Sequence, residues 1–271
     1  MKSITLALVT ALAVSSSFAE PLVGKPEWLH IGAGAEALTA YQLYGAMFND
    51  EPCAIYTSSV DIDVPYLGTI GGGTWTLSDF TKRCDNLHSR WNNETDFDIH
   101  LYSGFDIAEK WRVEYFVGYV WMVMYHSRDD APTQRSGIWG FEITNPYVTP
   151  FVNFEYQHAY DASLYTESGL KRKFEVCDTV TLTPSVSLST MGSRFKRSFF
   201  PECESGYSNG IEALFARLKA EWRATEWLTV YSQVVYCSIL DNDIRNAIRS
   251  CGDATYKTDF ATLEVGVSFE F

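Results

Sequence analysis

Hydrophobic and polar residues alternate along most of the chain after its amino-terminal segment. The carboxyl-terminal segment is the clearest, because Leu263 and Val265 fall on one face and Glu264 falls on the other. The same period-two alternation recurs from Thr179 to Ser189 and from Trp111 to Tyr125. Since successive side chains of a strand point to opposite faces, this period predicts β-strands.

The alternation predicts about twelve strands, with about ten as the alternative. They lie near residues 28–43, 55–64, 73–80, 95–106, 111–125, 137–144, 147–157, 162–175, 179–189, 211–223, 227–238 and 258–271. Short connections follow the fourth, sixth, eighth and tenth strands, whereas long polar ones follow the fifth, ninth and eleventh. One end with short turns and one with long loops is typical of outer-membrane barrels.

The composition fits strands that face lipid better than it fits helices that cross a membrane. Hydrophobic residues make up 46% of the 271 residues and aromatic residues 15%, while the mean hydropathy is only -0.11. After the amino-terminal segment, no run approaches the roughly 18 apolar residues of a transmembrane helix. Aromatic residues cluster near predicted strand ends, as interfacial girdles require: Trp111, Tyr125, Trp222, Trp227, Tyr236, Phe269 and Phe271.

These features predict an all-β fold, a transmembrane antiparallel β-barrel with short periplasmic turns and long extracellular loops. Its location would be the outer membrane of a bacterium, where strands persist only if the sheet closes on itself. The competing interpretation is a soluble antiparallel sandwich or a lipocalin-like barrel, whose apolar faces point inward. The charged and polar opposite face of the strands argues against that interpretation.

The first nineteen residues have the features of a secretory signal peptide. Lys2 supplies a positive charge, Ile4–Val14 is largely apolar, and Ser17-Phe18-Ala19 ends in small residues. We expect cleavage after Ala19, which leaves residues 20–271 as a single barrel domain. Such a protein is exported to a compartment that permits disulfides.

Six cysteines, with no Cys-x-x-Cys spacing, form an even set. With the amino terminus in the periplasm, Cys177 falls in a periplasmic turn and the other five fall on the extracellular side. A disulfide requires α-carbons within about 7 Å, and the membrane is about 30 Å thick. We therefore expect Cys177 to be free or to pair with another protein. The disulfide candidates are Cys53 with Cys84, and Cys251 with either Cys203 or Cys237.

Several segments carry a resemblance to a known family. They are Asn92–Tyr125 with its Glu94-Thr95-Asp96 opening and Val117-Gly118-Tyr119, Pro146-Tyr147-Val148-Thr149-Pro150 after Glu142, Leu164–Gly169, and Leu182-Thr183-Pro184-Ser185. Over roughly residues 70–271 the chain resembles the TorF-type porins. The resemblance implies an outer-membrane barrel with a pore role and transfers no functional residue. The six cysteines and the segment around Ser198–Asn209 depart from the family's pattern.

If apolar residues face lipid, the other face of the strands lines a charged lumen. The candidate pore-lining residues are Asp61, Asp63, Asp96, Asp98, Arg112, Glu114, Glu142, Glu155, Glu167, Lys171, Lys173, Arg217, Lys219, Glu221, Arg223 and Glu264. Acidic residues concentrate on the second and fourth strands and basic residues on the eighth and tenth. A barrel of about twelve strands places these on opposing walls, where a transverse field would orient a charged solute. Alternatively, the charges neutralise one another and fill the lumen.

The sequence favours an outer-membrane porin-like channel for passive diffusion of small hydrophilic solutes. The formal charge of -13 and the pI near 4.8 disfavour nucleic-acid binding. No catalytic motif, metal site or cofactor site is predicted. We expect the partners to be outer-membrane lipid, small solutes and the barrel-assembly machinery, the last through the strand that ends in Phe271.

Two other classes of function stay open. An outer-membrane barrel hydrolase would use His126 or His158 near the rim, with Asp129, Asp130 or Asp161 close by. The Gly-x-Ser-x-Gly motif is absent from the sequence. A non-conducting adhesin or structural anchor is favoured only by the long loops.

Overall fold

The computed structural model describes residues 25–79, 94–124, 134–158, 162–200, 206–251 and 256–271. The predicted signal peptide, Cys84 and Cys203 lie outside these residues. The strands are β1 (Leu29–Leu38), β2 (Tyr41–Leu43), β3 (Ala46–Asn49), β4 (Cys53–Val64), β5 (Gly68–Asp79), β6 (Glu94–Ala108), β7 (Trp111–Met124), β8 (Gln134–Thr144), β9 (Thr149–Gln157), β10 (Ser163–Lys171), β11 (Phe174–Cys177), β12 (Val180–Met191), β13 (Gly210–Arg223), β14 (Leu228–Ile239) and β15 (Asp259–Glu270). The helices are α1 (Ser193–Phe199) and α2 (Asn242–Cys251). Within the described ranges, neither helix has the length and apolar character needed to span a bilayer.

Twelve of the strands form a closed antiparallel barrel, which confirms the predicted fold class. Neighbours along the chain pair with each other around the wall, β10 pairs with β12, and β1 pairs with β15 to close the sheet. The short strand β11 extends the edge of β12. The remaining strands, β2 and β3, form a separate hairpin. Closure leaves no unpaired sheet edge, which is the condition for strands in hydrocarbon.

The exterior of the barrel is apolar. Leu263, Val265 and Val267 lie on the outward face of β15, and exposed hydrophobic side chains continue around the wall. Examples are Val60, Ile62, Phe97, Ile99, Val117, Phe141, Leu170, Val186, Leu218 and Val234. An exposed apolar band of this extent requires lipid rather than water. The protein is an outer-membrane β-barrel of a bacterium.

An aromatic girdle marks the end with short turns. Trp227 stacks on Phe269 and on Phe271, with ring centroids 6.0 and 6.1 Å apart. Trp111 and Trp222 are exposed at the same end. These positions suit the headgroup region, where amphipathic rings accumulate. The turns at this end are therefore assigned to the periplasm and the long connections to the extracellular side.

Three predicted strands differ most from their observed bounds. The predicted strand 162–175 divides into β10, which ends at Lys171, and the short strand β11, which pairs with β12. The predicted strand 28–43 ends at Leu38, and the chain then turns inward as the β2–β3 hairpin. The predicted strand 73–80 begins earlier, at Gly68. Gly71, Gly72 and Gly73 carry no side chains, so the alternation that marks a strand is invisible there. Their backbones pair with both neighbouring strands.

The β2–β3 hairpin is held by its turn. Tyr44 and Gly45 both have positive φ angles, 51° and 79°, as a type I′ turn requires. Glycine adopts this conformation at little cost, whereas Tyr44 does not. Contacts made by Tyr44 compensate for that cost, and they place the hairpin inside the barrel.

Candidate functional site: the barrel lumen

The strand register places the predicted pore-lining residues on one side of the wall. Residues that are directly paired across antiparallel strands project to the same face. Asp61 pairs with Gly71, which pairs with His100, and Glu114 pairs with Glu142. When paired residues are followed from strand to strand in this way, every predicted pore-lining residue that lies in a strand falls on the lumen side. Lys173, in the connection between β10 and β11, lines the same cavity as Lys171 and Arg217.

The periplasmic half of the lumen holds open space. One cavity of about 950 Å³ is bordered by Asp63, Arg112 and Glu114. A second cavity of about 670 Å³ is bordered by Glu142 and Lys219, among other residues. Charged side chains thus line open volume in the periplasmic half of the lumen.

Arg217 on the basic side of the lumen is fully engaged by its neighbours. Its guanidinium donates to both carboxylate oxygens of Glu167, at 2.6 and 3.2 Å, and to the Ser187 hydroxyl at 2.9 Å. The guanidinium also lies over the Phe215 ring, 4.5 Å from its centroid. A bidentate pair of this kind is geometrically specific, so it fixes Arg217 against the wall.

Three other bases of the lumen also have acidic partners. The Lys171 ammonium donates to Glu142 at 2.5 Å, and Lys219 lies 2.8 Å from a Glu221 oxygen. Arg112 contacts Asp106 at 3.2 Å. Lys173 and Arg223 are exposed at the periplasmic mouth. On the basic side, then, the structure contains the mutual neutralisation that the sequence left as an alternative.

A second group of lumen side chains, which we call the acidic wall, comprises Asp61 of β4, Glu94, Asp96 and Asp98 of β6, and Glu155 of β9. His100 lies between two of these residues, with one ring nitrogen 2.5 Å from Asp98 and the other 2.7 Å from Asp61. Since an ionised carboxylate can only accept hydrogen bonds, both contacts are satisfied when both ring nitrogens of His100 carry a proton, as in the imidazolium. The Tyr44 hydroxyl donates to Glu155 at 2.6 Å.

Sequence reasoning missed several lumen residues that lie on the same face of their strands as the residues it predicted. Glu36 accepts a hydrogen bond from the Tyr231 hydroxyl at 2.7 Å. Glu94 and His100 lie on the lumen side of β6, and their positions alternate with apolar residues just as Asp96 and Asp98 do. The period-two pattern was the signal that could have found them.

The extracellular half of the lumen is filled by three inserted elements. The β2–β3 hairpin, α1 and α2 pack against lumen-facing side chains of the wall as a single apolar cluster. Its members include Phe215, Val235, Cys237 and Ile239 of the wall, all at most 2% exposed. We call the three elements the plug.

Tyr44 lies at the centre of the plug. Its ring contacts Tyr165 of the wall and Phe195 and Phe199 of α1, with centroid distances of 4.9 to 5.0 Å. Tilted and edge-on contacts of this kind add to the free energy gained by burial. One side chain thereby joins the hairpin, the wall and α1.

A buried ion pair joins α1 to the segment that starts α2. The Lys196 ammonium is completely buried and donates to Asp241 and, at 2.7 Å, to the Ser208 carbonyl oxygen. The other oxygen of Asp241 accepts from the backbone N–H groups of Asp243 and Ile244, at 2.8 and 3.1 Å. Asp241 thus caps α2 while it neutralises Lys196.

The cysteines that the structure describes bear on the predicted pairings. Cys177 is an exposed free thiol at the periplasmic end, as expected from the topology. Cys237 is a buried free thiol on the wall strand β14, packed against the plug, and Cys251 is an exposed free thiol on α2, so the pairing between them is not formed. Pairings that involve Cys84 or Cys203 stay predictions, because both lie outside the described residues.

The residues suggested for a hydrolase are only partly described. His158 packs between the rings of Tyr119 and Tyr156, at centroid distances of 5.7 and 5.0 Å. His126, Asp129, Asp130 and Asp161 lie outside the described residues. Among the described residues, no cluster of His, Cys, Asp and Glu could hold a metal ion.

Comparison with known proteins shows the fold. No family model matches the chain, and no curated protein matches its sequence. Among solved structures, an outer-membrane channel from Pseudomonas putida F1 is similar with a TM-score of 0.56 and 9% sequence identity. The alignment covers 93% of this chain and 99% of that chain.

Two further solved structures are similar at lower scores. The KdgM porin in complex with disordered oligogalacturonate has a TM-score of 0.46 and 6% identity, over 89% of this chain and 99% of that chain. Outer membrane phospholipase A from Escherichia coli has a TM-score of 0.45 and 12% identity, over 90% of this chain and 93% of that chain.

Proposed function

We propose that the protein is an outer-membrane channel for passive diffusion of small hydrophilic solutes, and that its described form is closed. The observation that carries the proposal is the charged lumen, which holds open space on the periplasmic side and a plug formed by elements between strands on the other. A lumen that served only to support a surface anchor would not require this open volume. The same proposal includes membership of the TorF-type porins. It also includes recognition of the strand that ends in Phe271 by the barrel-assembly machinery.

The plug is the gate of the proposed channel. Each of its three elements belongs to a connection between strands, so it can leave the lumen without breaking a wall pair. The buried Lys196–Asp241 pair stabilises the closed form. Removing one partner of a buried ion pair typically costs about 3–5 kcal/mol, whereas replacing both with neutral groups is often neutral.

Single-channel recording in planar bilayers tests the gate. Lys196→Met leaves the Asp241 carboxylate buried without its partner, so the closed form is destabilised. We expect the ratio of open to closed states to rise by about two orders of magnitude or more. In the matched double variant Lys196→Met/Asp241→Asn, no buried charge is left and the amide oxygen still caps α2. The ratio of open to closed states in this variant should stay close to that of wild type.

The two outcomes that would replace the proposal are distinct. If wild type and Lys196→Met insert into bilayers yet neither conducts, the account of a channel fails and an anchor becomes the better explanation. Hydrolysis of phospholipid or ester substrates by the non-conducting protein would instead favour an enzyme. Loss of that hydrolysis in His126→Ala or His158→Ala would identify the histidine concerned.

A further inference from the structure

The two sides of the lumen differ in how their charges are compensated. Arg217, Lys171 and Lys219 each bind a carboxylate, which neutralises the charge of these three bases. Within the described part of the chain, no lysine or arginine lies within 4.0 Å of an acidic-wall carboxylate, and His100 is the one basic side chain that does. The expected field between two opposing walls is therefore weakened on its basic side, where Lys173 and Arg223 lie exposed at the periplasmic mouth.

Two carboxylates of the acidic wall have oxygens without a hydrogen-bond donor. Glu94 is only 4% exposed, and one of its oxygens has no hydrogen-bond partner among the described residues. One oxygen of Asp96 is likewise buried without a partner in the described structure. A buried carboxylate that lacks donors is unfavourable by several kcal/mol per charged group. The two oxygens are inaccessible to solvent in the described structure, so a cationic donor would reach and be stabilised by them only after the surrounding side chains move.

Aromatic rings border the same carboxylates. Trp75 pairs directly with Asp96 across the β5–β6 ladder, so both side chains face the lumen. The Tyr41 ring lies 5.8 Å from the Trp75 ring. Aromatic faces beside carboxylates are the surroundings in which proteins bind ammonium groups. Among the described residues the geometry for a chelated metal ion is absent, which favours a hydrogen-bonding organic cation.

We propose that the acidic wall is a subsite for solutes that carry an ammonium or guanidinium group. The subsite makes the lumen prefer organic cations to neutral or anionic solutes of the same length. This inference rests on the channel proposed above, because it names the class of solute that the channel favours. A bound ammonium group would donate charge-assisted hydrogen bonds to the unused oxygens of Glu94 and Asp96.

Binding is measured by titration calorimetry on the full barrel in a neutral maltoside detergent. The probes are 1,5-diaminopentane, 1,5-pentanediol and glutarate, which share a five-carbon chain and differ in charge. We expect diaminopentane to bind about tenfold more tightly than either of the others, or better. Glu94→Gln/Asp96→Asn should remove that preference. The matched control Glu109→Gln/Glu226→Gln removes the same amount of charge from two periplasmic turns. This control should retain the preference for diaminopentane.

Uptake of the three probes into liposomes separates this inference from the proposed function. If diaminopentane binds through Glu94 and Asp96 but no probe enters, the subsite stands and the channel fails. If all three probes enter equally and none binds preferentially, the channel stands and the subsite is overturned. Equal or tighter binding of glutarate also overturns it. Should the double variant not fold, as judged by its migration with and without boiling, Asp96→Asn alone is compared with Glu226→Gln.

Discussion

At the scale of single residues, the lumen carboxylates divide by the kind of donor that satisfies them. Glu167 accepts from a guanidinium, whereas Glu36 accepts from the Tyr231 hydroxyl and Glu264 from the Gln233 amide. A charged donor cancels the carboxylate's charge, and a neutral donor satisfies its hydrogen bond but leaves the charge in place. Negative potential therefore persists wherever the donor is a hydroxyl or an amide.

Removing the bases Arg217, Lys219 and Arg223 should make the channel more selective for cations. Arg217→Gln/Lys219→Gln/Arg223→Gln leaves Glu167 and Glu221 without their cationic partners. The reversal potential in a salt gradient should shift in the cation-selective direction. Arg217→Gln/Glu167→Gln, which removes a base and its acid together, should shift it less. An unchanged potential in the triple variant would mean that these side chains support packing rather than selectivity.

Cys177 should react with a membrane-impermeant maleimide only after the periplasm is opened. The thiol is exposed, and hydrogen bonds from the Thr179 backbone and hydroxyl lower the pKa of Cys177. Since the thiolate is the reactive form, labelling should persist to lower pH than for an ordinary cysteine. Labelling of intact cells would reverse the assigned orientation. A mapped disulfide between Cys177 and any other cysteine of the chain would show that the topology is wrong.

At the scale of elements, the alternation of apolar and polar residues predicted the strands of the barrel wall but not the elements inside the barrel. Val180–Met191 and Leu228–Ile239 were recognisable because lipid and lumen select opposite side chains at adjacent positions. The β2–β3 hairpin faces protein on several sides, so its residues carry no period-two signal. The helix α1 spans only seven residues. Such a short helix is stabilised by Phe195 and Phe199 in the plug rather than by its own sequence.

Truncation of Tyr44 should loosen the plug. Tyr44→Ala removes ring contacts to Tyr165, Phe195 and Phe199, and a buried aromatic truncated to alanine typically costs about 3–5 kcal/mol. We expect trypsin added from the extracellular side to cleave after Arg194 or Arg197 in α1 faster than in wild type. Tyr147→Ala, at an exposed periplasmic turn, is the matched control. Equal cleavage in both variants would show that the hairpin does not hold α1.

At the scale of the whole molecule, sequence reasoning reached the barrel and the inner face but not the plug. The fold followed from local alternation and loop lengths, since each strand repeats the same lipid-against-lumen pattern. Whether a lumen charge is neutralised depends on which strands meet across the barrel, as with Arg217 and Glu167. The ion pair between Lys196 and Asp241 likewise depends on two connections that are distant in sequence. Neither property is encoded locally.

The complete barrel should behave as an integral outer-membrane protein. We expect it to fractionate with the outer membrane, to show mostly β-sheet by circular dichroism and to migrate differently in gels after boiling. The physical reason is the closed hydrogen-bonded wall with its apolar exterior. A monomer that stays soluble without detergent would contradict the assignment.

The central claim, that this barrel is a gated channel, is tested most directly by the conductance of single inserted molecules. The account predicts brief openings of wild type and much longer open times for Lys196→Met, with near wild-type behaviour in Lys196→Met/Asp241→Asn. Absence of conductance in all three proteins, each shown to be folded and inserted, would contradict the claim that the barrel is a gated channel.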